Sequence, residues 1–157
     1  MQDRCLKIVV IAVVVFLFVA AGTAIIAIKL VENQPKCCPV LWVLNKENCY
    51  YFSTNKTTWQ MSKDDCTSRE AQLAVTEDEE ELRFLILECR FFLGFWIGLK
   101  RNSQQEWRWI NERPVNPTWM NQTDQDRECA LLEKESIYSY NCSHEKHWIC
   151  KMRAKHL

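Results

Sequence analysis

The chain has no charge imbalance: 20 lysines and arginines are set against 20 aspartates and glutamates, interspersed along its length. That removes the electrostatic case for nucleic acid, which needs a basic patch or stripe. There is no internal repeat and no low-complexity tract. Catalytic groupings are missing too. The three histidines, His144, His147 and His156, fall late in the chain, and no Ser/His/Asp, Cys/His or zinc-spaced set accompanies them. His147 beside Trp148 reads as a strand residue, and no enzyme activity is expected. The first seven residues hold no tyrosine, since Tyr50, Tyr51, Tyr138 and Tyr140 all come later, so this tail carries no tyrosine-based signal.

What is present begins with an uncharged run. Ile8 to Ile28 is 21 residues rich in Val, Ile and Phe, bounded by Lys7 and Lys29. A helix rising ~1.5 Å per residue crosses the ~30 Å hydrocarbon core with about 20 residues. The expected layout is a cytoplasmic tail at 1–7, a transmembrane signal-anchor helix at 8–28 and a stalk at 29–37. The competing reading is a cleaved signal peptide, with Ala20, Ala21, Gly22 and Ala24 as cleavage-site residues. Against it, apolar residues continue through Ile25, Ile26 and Ile28, past the usual h-region of ~7–15 residues. Ala20 and Ala24 form a small-xxx-small pair that lets two spans approach, or they are simply lipid-facing. Cys5, beside the inner leaflet, is a palmitoylation candidate or an unmodified thiol.

Lysine and arginine do not settle the orientation, because both flanks carry them. Cysteine does. Eight of the nine cysteines follow the apolar run, which points to an oxidising compartment and a disulfide framework. Three N-glycosylation sequons lie there as well, at Asn55, Asn121 and Asn141, while Asn116-Pro117-Thr118 is spoiled by its proline. The expectation is a single-pass type II protein of the plasma membrane with its carboxyl-terminal domain outside.

That outer part has seven tryptophans and length enough for a sizeable core. Leu41–Val43 and Cys49–Phe52 read as a hairpin around Asn45-Lys46-Glu47-Asn48. Thr57-Thr58-Trp59-Gln60 reads as a capping box opening a helix through about Arg69, and Thr76-Glu77-Asp78-Glu79 as a second. The acids from Glu77 to Glu81 are then helix-start chemistry rather than a metal site. Leu82, Leu85, Ile86 and Cys89 share one buried face of the second helix, with Cys89 a buried thiol. Leu73–Val75 is extended. Strands are expected at Phe95–Leu99, Trp107–Ile110, Cys129–Leu132, Ile137–Tyr140 and His147–Lys151. Phe91-Phe92-Leu93-Gly94-Phe95 reads as core or as a dimer or ligand patch, with core preferred. The class is α+β with a largely antiparallel sheet.

Several pieces occur in an informative order: Cys38-Pro39-x-x-Trp42, Cys49-Tyr50-Tyr51-Phe52, Trp59 with Cys66, Ala71-x-Leu73-Ala74, Trp96-Ile97-Gly98-Leu99, Trp107-x-Trp109, Glu128-Cys129-Ala130 and Trp148-Ile149-Cys150. This series resembles the C-type lectin-like domain in its long form, here at 38–157. The subgroup it most resembles is the natural-killer-cell receptor-like set of type II proteins: killer-cell lectin-like receptors, their lectin-like ligands and the early lymphocyte activation antigen. The resemblance implies disulfides Cys38–Cys49, Cys66–Cys150 and Cys129–Cys142. It also implies an interchain bridge at Cys37 and hence a disulfide-linked homodimer. Pairing of Cys37 with Cys89, or with Cys49 in place of Cys38, stays open.

Lectins of this fold hold calcium through Glu-Pro-Asn or Gln-Pro-Asp and a later Trp-Asn-Asp, and calcium needs about six to eight oxygen ligands. Here the first region reads Asn111-Glu112-Arg113-Pro114-Val115-Asn116, and the second reads Ser139-Tyr140-Asn141-Cys142. Glu112 and Asn116 remain as donors, but Arg113 intrudes and the tripeptides are absent. Asp124 and Asp126 read as a solvated acidic loop. No cofactor is expected, calcium included. What the resemblance implies is a cell-surface receptor or counter-receptor in natural-killer or lymphocyte recognition, binding a protein on another cell without calcium. A carbohydrate-binding lectin is the alternative, and a displayed ligand with no signalling of its own is a special case of the first. The contact candidates on the outer loops are Arg101, Arg113, Glu133, Lys134, Tyr138 and Tyr140, types that dominate interface energetics in the case of arginine and tyrosine.

Overall fold

The computed structural model describes residues 14–24, 36–92, 94–121 and 126–156. The tail with Cys5, most of the stalk, Leu93 and the 122–125 stretch with Asp124 lie outside them. Helix α1 covers residues 14–24 of the apolar run, and the rest of 8–28 also lies outside. Among the described residues no helix is long and apolar enough to cross a membrane. They fall into two compact units, one comprising α1 with strands β1 (Lys36–Cys37) and β10 (Lys155–His156), the other Cys38–Ala154.

In the larger unit the elements run β2 (Val43–Asn45), β3 (Asn48–Phe52), α2 (Trp59–Ser68), β4 (Gln72–Leu73), α3 (Glu79–Cys89), β5 (Phe95–Arg101), β6 (Trp107–Trp109), a 3-10 turn (Pro117–Trp119), β7 (Cys129–Glu133), β8 (Ser136–Tyr140) and β9 (His147–Arg153). The sheet order is β2-β3-β9-β5-β7-β8, with β4 added to β9 and β6 to β5. All of these pairings are antiparallel except β5 with β9, which is parallel. The α+β class therefore holds, with a mixed sheet.

Both helix starts sit later than the sequence pattern places them. Thr57 does not cap α2, because its backbone is still extended and exchanges two hydrogen bonds with Lys146, at 3.0 and 2.9 Å. Thr58 is the cap, its hydroxyl accepting from the Met61 N–H, while Gln60 turns away to donate to Asp64. Likewise Asp78, not Thr76, caps α3 by accepting from the Glu81 N–H at 2.8 Å. The Glu81 side chain accepts from the Glu77 N–H at 2.9 Å, one residue before the cap, so the exchange resembles a capping box without closing on Asp78 itself. Glu79, Glu80 and Glu81 fill the first turn, where the helix dipole favours negative charge.

Two clusters of buried side chains hold the unit together. One gathers Leu82, Leu85 and Cys89 of α3 against Phe95, Ile97, Leu99 and Leu132. The other gathers Trp59 and Cys66 of α2 with Leu73, Trp96, Leu131, Trp148 and Cys150. Buried indoles need a partner for their N–H, and here they tie α2 to the sheet. Trp59 donates to the Ile97 carbonyl, Trp96 to the Thr57 carbonyl and Trp148 to Asp65, each at 2.9 Å. Gly98 marks the tightest approach. A Cβ there would lie 2.7 Å from the Leu73 carbonyl oxygen, so the Trp96-Ile97-Gly98-Leu99 run needs glycine for close strand packing.

The segment after α3 departs from the expected core placement. Phe95 is buried, but Phe91 is 81% exposed and Phe92 50% exposed. The helix ends at Cys89, and Gly94, with φ +82°, turns the chain into β5. That turn leaves Phe91 outside, covered on one side by the Arg90 guanidinium 4.7 Å from its ring. Phe92 lies edge-on to Phe95 and His147.

Candidate functional site

Three disulfides fix the frame that carries the outer loops. Cys38–Cys49 closes the first hairpin, Cys66–Cys150 joins α2 to β9 across 84 residues, and Cys129–Cys142 spans β7 and the end of β8. With Cys38 joined to Cys49, the alternative Cys37–Cys49 pairing is not the one adopted. Nor is Cys37–Cys89. Cys89 is buried at 3% exposure in the apolar core, and burial pushes its thiol well above the ordinary cysteine range. Cys37 is exposed on β1.

The six contact candidates fall at different stations. Arg101, at the end of β5, donates to the Gln105 carbonyl at 2.9 Å and lies 5.0 Å from the Trp107 ring centroid. Arg113 is exposed and reaches Glu77 at 3.4 Å. Glu133 ends β7, and Lys134, with φ +54°, starts the two-residue turn into β8. Tyr138 and Tyr140 alternate with buried Ile137 and Ser139 along β8, so both lie on the same face. The Tyr138 hydroxyl accepts from the Asn121 amide at 3.2 Å. Tyr140 is enclosed differently, edge-on to Trp96 and His144 with Lys146 4.6 Å from its centroid. Arg113, Tyr138 and the hairpin tip are therefore available to a partner, whereas Tyr140 does partly structural packing. Of the sequons, Asn55, Asn121 and Asn141 are all exposed.

Among the described residues, the oxygens that a calcium ion of this fold would draw on are altered or already engaged. Glu112 sits in a left-handed turn with φ +65°, and the next residue is Arg113, whose guanidinium reaches Glu77. The Asn116 side-chain oxygen is already used, accepting from the Thr118 N–H at 3.1 Å and its hydroxyl at 2.9 Å. The Asn141 oxygen accepts from Ser143 in the same way, at 2.9 and 2.8 Å. Among the described residues no three His, Cys, Asp or Glu side chains converge in a metal-holding group.

An interior charge cluster escaped the sequence reading. The Lys151 ammonium, 5% exposed, lies 2.6 Å from Glu81, 3.6 Å from Glu77 and 3.0 Å from the Val75 carbonyl oxygen. The buried Tyr50 hydroxyl also donates to Glu81. Burial first, and the adjacent carboxylate second, raise the Tyr50 phenol above the usual tyrosine range, keeping it a donor. The oxygens gathered here are satisfied by the chain's own cation. Lys151 reads from sequence as one more strand residue and Glu81 as one more helix-start acid. The signal in the sequence is a lysine directly after Trp148-Ile149-Cys150, on a strand whose neighbours are apolar.

An α+β scaffold with this disulfide set, a Trp-Ile-Gly-Leu strand and long outer loops defines a C-type lectin-like domain. The family model "Lectin C-type domain" matches residues 55–152, and the chain belongs to that family. It is 35% identical over 122 residues to the killer cell lectin-like receptor subfamily B member 1B allele A of Rattus norvegicus, covering 75% of this chain and 55% of that protein. It is 33% identical over 119 residues to the early activation antigen CD69 of Mus musculus, covering 76% and 58%. The chain thus spans between 55% and 58% of the length of these relatives. Among solved structures, the mouse scavenger receptor C-type lectin carbohydrate-recognition domain superposes with a TM-score of 0.71 at 23% identity, over 76% of this chain and 99% of that one. That likeness speaks to the fold.

Proposed function

We propose that this chain is a cell-surface receptor or counter-receptor of immune recognition whose outer loops bind a protein on another cell without calcium. The observation that carries the reading is the state of the loop oxygens. Asn116 and Asn141 engage theirs with backbone and hydroxyl donors of their own turns, and Arg113 brings a cation into the loop that carries Asn116. The killer-cell receptor and activation-antigen relatives support the immune context. Sugar recognition through calcium would need groups this face does not free.

The test is direct. Cells displaying the full chain are stained with a panel of soluble killer-cell lectin-like receptor ectodomains, with calcium and then with excess chelator. Binding of at least one receptor, equal in both buffers and weakened at least tenfold by Tyr138→Ala, is the expected result. Staining that requires calcium and is competed by free monosaccharide would instead make the chain a lectin.

The proposed setting is the plasma membrane, with 8–28 as the anchor, the carboxyl-terminal domain outside and glycans at Asn55, Asn121 and Asn141. Cys37 is proposed as the interchain bridge, since an exposed cysteine next in sequence to the Cys38–Cys49 disulfide suits a bond between two copies. Non-reducing electrophoresis is expected to give a band of twice the monomer mass, collapsing to monomer for Cys37→Ser. A monomer band in the wild type refutes the bridge.

A further inference from the structure

The outer loops hold a recess of about 530 Å³ lined by Glu106, Trp107, Arg108, Pro114, Val115, Pro117, Met120 and Asn121. We infer that this recess is the anchor socket of the binding face, taking one neutral aromatic side chain from the protein partner. The inference rests on the protein-binding reading above and deepens it.

Three features lead to this occupant. The first is charge. Arg108, the one cation among the described lining residues, is matched by Glu106 at 2.9 Å, and it draws the Glu106 carboxyl below its ordinary range. A rim that neutralises itself has no call for an ionic ligand, and burying a lone charge against it would be costly. The second is the wall. Trp107, Pro114, Val115, Pro117 and Met120 offer apolar surface, and the volume lies in the ~300–1,000 Å³ range of pre-formed small-ligand sites. A planar ring can stack on the Trp107 wall in a way that an aliphatic chain cannot.

The third feature is rigidity. Prolines at 114 and 117 fix two backbone angles of the wall. Pro114 is bridged to Arg108 of β6, and Trp109 donates to the Arg113 carbonyl at 3.0 Å. Asn116 caps the Pro117–Trp119 turn, Met120 bridges to Ile137 of β8, and Asn121 donates through its backbone to the Ile137 carbonyl at 2.8 Å. A wall tied down at both ends loses little entropy when a partner docks, which is how interface anchors gain affinity.

The full chain in lipid nanodiscs, labelled on tryptophan and methionine, is titrated with N-acetyl-L-tyrosinamide and, separately, with N-acetyl-D-glucosamine and leucinamide, in chelator. The expected result is saturable shifts of the Trp107 and Met120 signals with the tyrosine probe, at least tenfold weaker with leucinamide. Val115→Trp, which fills the recess, abolishes them, and Met120→Ala, which widens it, weakens them severalfold. Both variants should melt within a few degrees of wild type. If the tyrosine probe gives no shift at Trp107, or the filled variant binds equally, the socket is refuted while calcium-independent binding of a receptor by the cells can stand. If the sugar alone shifts Trp107, both the socket and the protein-binding reading fail.

Discussion

Replacing Cys66 and Cys150 together by serine is expected to cost ~4–5 kcal/mol of unfolding free energy, the larger of two big effects. The bridge closes a separation of 84 residues, and in the chain-entropy model a loop that long contributes ~4–5 kcal/mol, against typical disulfide values of ~2–4 kcal/mol. Both sulfurs are fully buried between Trp59, Leu73 and Trp148, so the serine hydroxyls add a desolvation cost. Marginal domains have only ~5–15 kcal/mol in hand. The double variant should therefore unfold at a much lower denaturant midpoint and reach the cell surface poorly. By comparison, Cys38–Cys49 and Cys129–Cys142 enclose separations of 11 and 13 residues, and removing either should cost ~1–2 kcal/mol less, because the closure entropy grows with loop length. Equal losses for all three would show that chain entropy does not set their ranking.

The second large effect is expected at Lys151. Lys151→Met removes the ammonium and leaves the Glu81 carboxylate, 7% exposed, with only neutral donors around it. Removing one partner of a buried ion pair strands a charge and costs ~3–5 kcal/mol. Adding Glu81→Gln to that variant relieves the stranded charge while leaving an acceptor for Tyr50. The double variant should then be less destabilised than the sum of its parts, with a coupling of ~1–3 kcal/mol in the cycle. Chemical denaturation of the four proteins measures it. A Lys151→Met loss below ~1 kcal/mol would show that the Tyr50 hydroxyl, the Glu77 N–H and water satisfy Glu81 well enough without the lysine.

The strands were legible where apolar runs and tryptophans alternate with polar residues. Phe95–Arg101, Cys129–Glu133, Ser136–Tyr140 and His147–Arg153 all contain the segments read from the sequence. Helix bodies were equally plain, since Leu82, Leu85 and Cys89 keep one face. Helix starts were not. Two adjacent residues able to cap, Thr57 and Thr58, look alike in sequence, and the choice is made by Lys146, 89 positions away, which pairs with Thr57. The same non-local logic hid β1 and β10, two residues each, which exist only because they pair with one another. Phe91 and Phe92 look like core by composition, but the turn at Gly94 decides where they point. For the candidate site, the sequence marked Arg113 and Tyr138 at stations open to a partner. It did not mark Trp107, Val115 and Met120 as one recess, because that proximity comes from the 114–121 loop folding back over β6.

The most direct measurement of the central claim is thermal unfolding of the full chain in millimolar calcium and again in excess chelator. A ligand at 100 times its dissociation constant adds ~2.7 kcal/mol to the folded state, which would move the midpoint by several degrees in a domain this size. The account predicts coincident midpoints, since the loop oxygens of Asn116 and Asn141 are already engaged and the interior oxygens around Lys151 hold their own cation. A calcium-dependent rise of several degrees, reversed by the chelator, would contradict it.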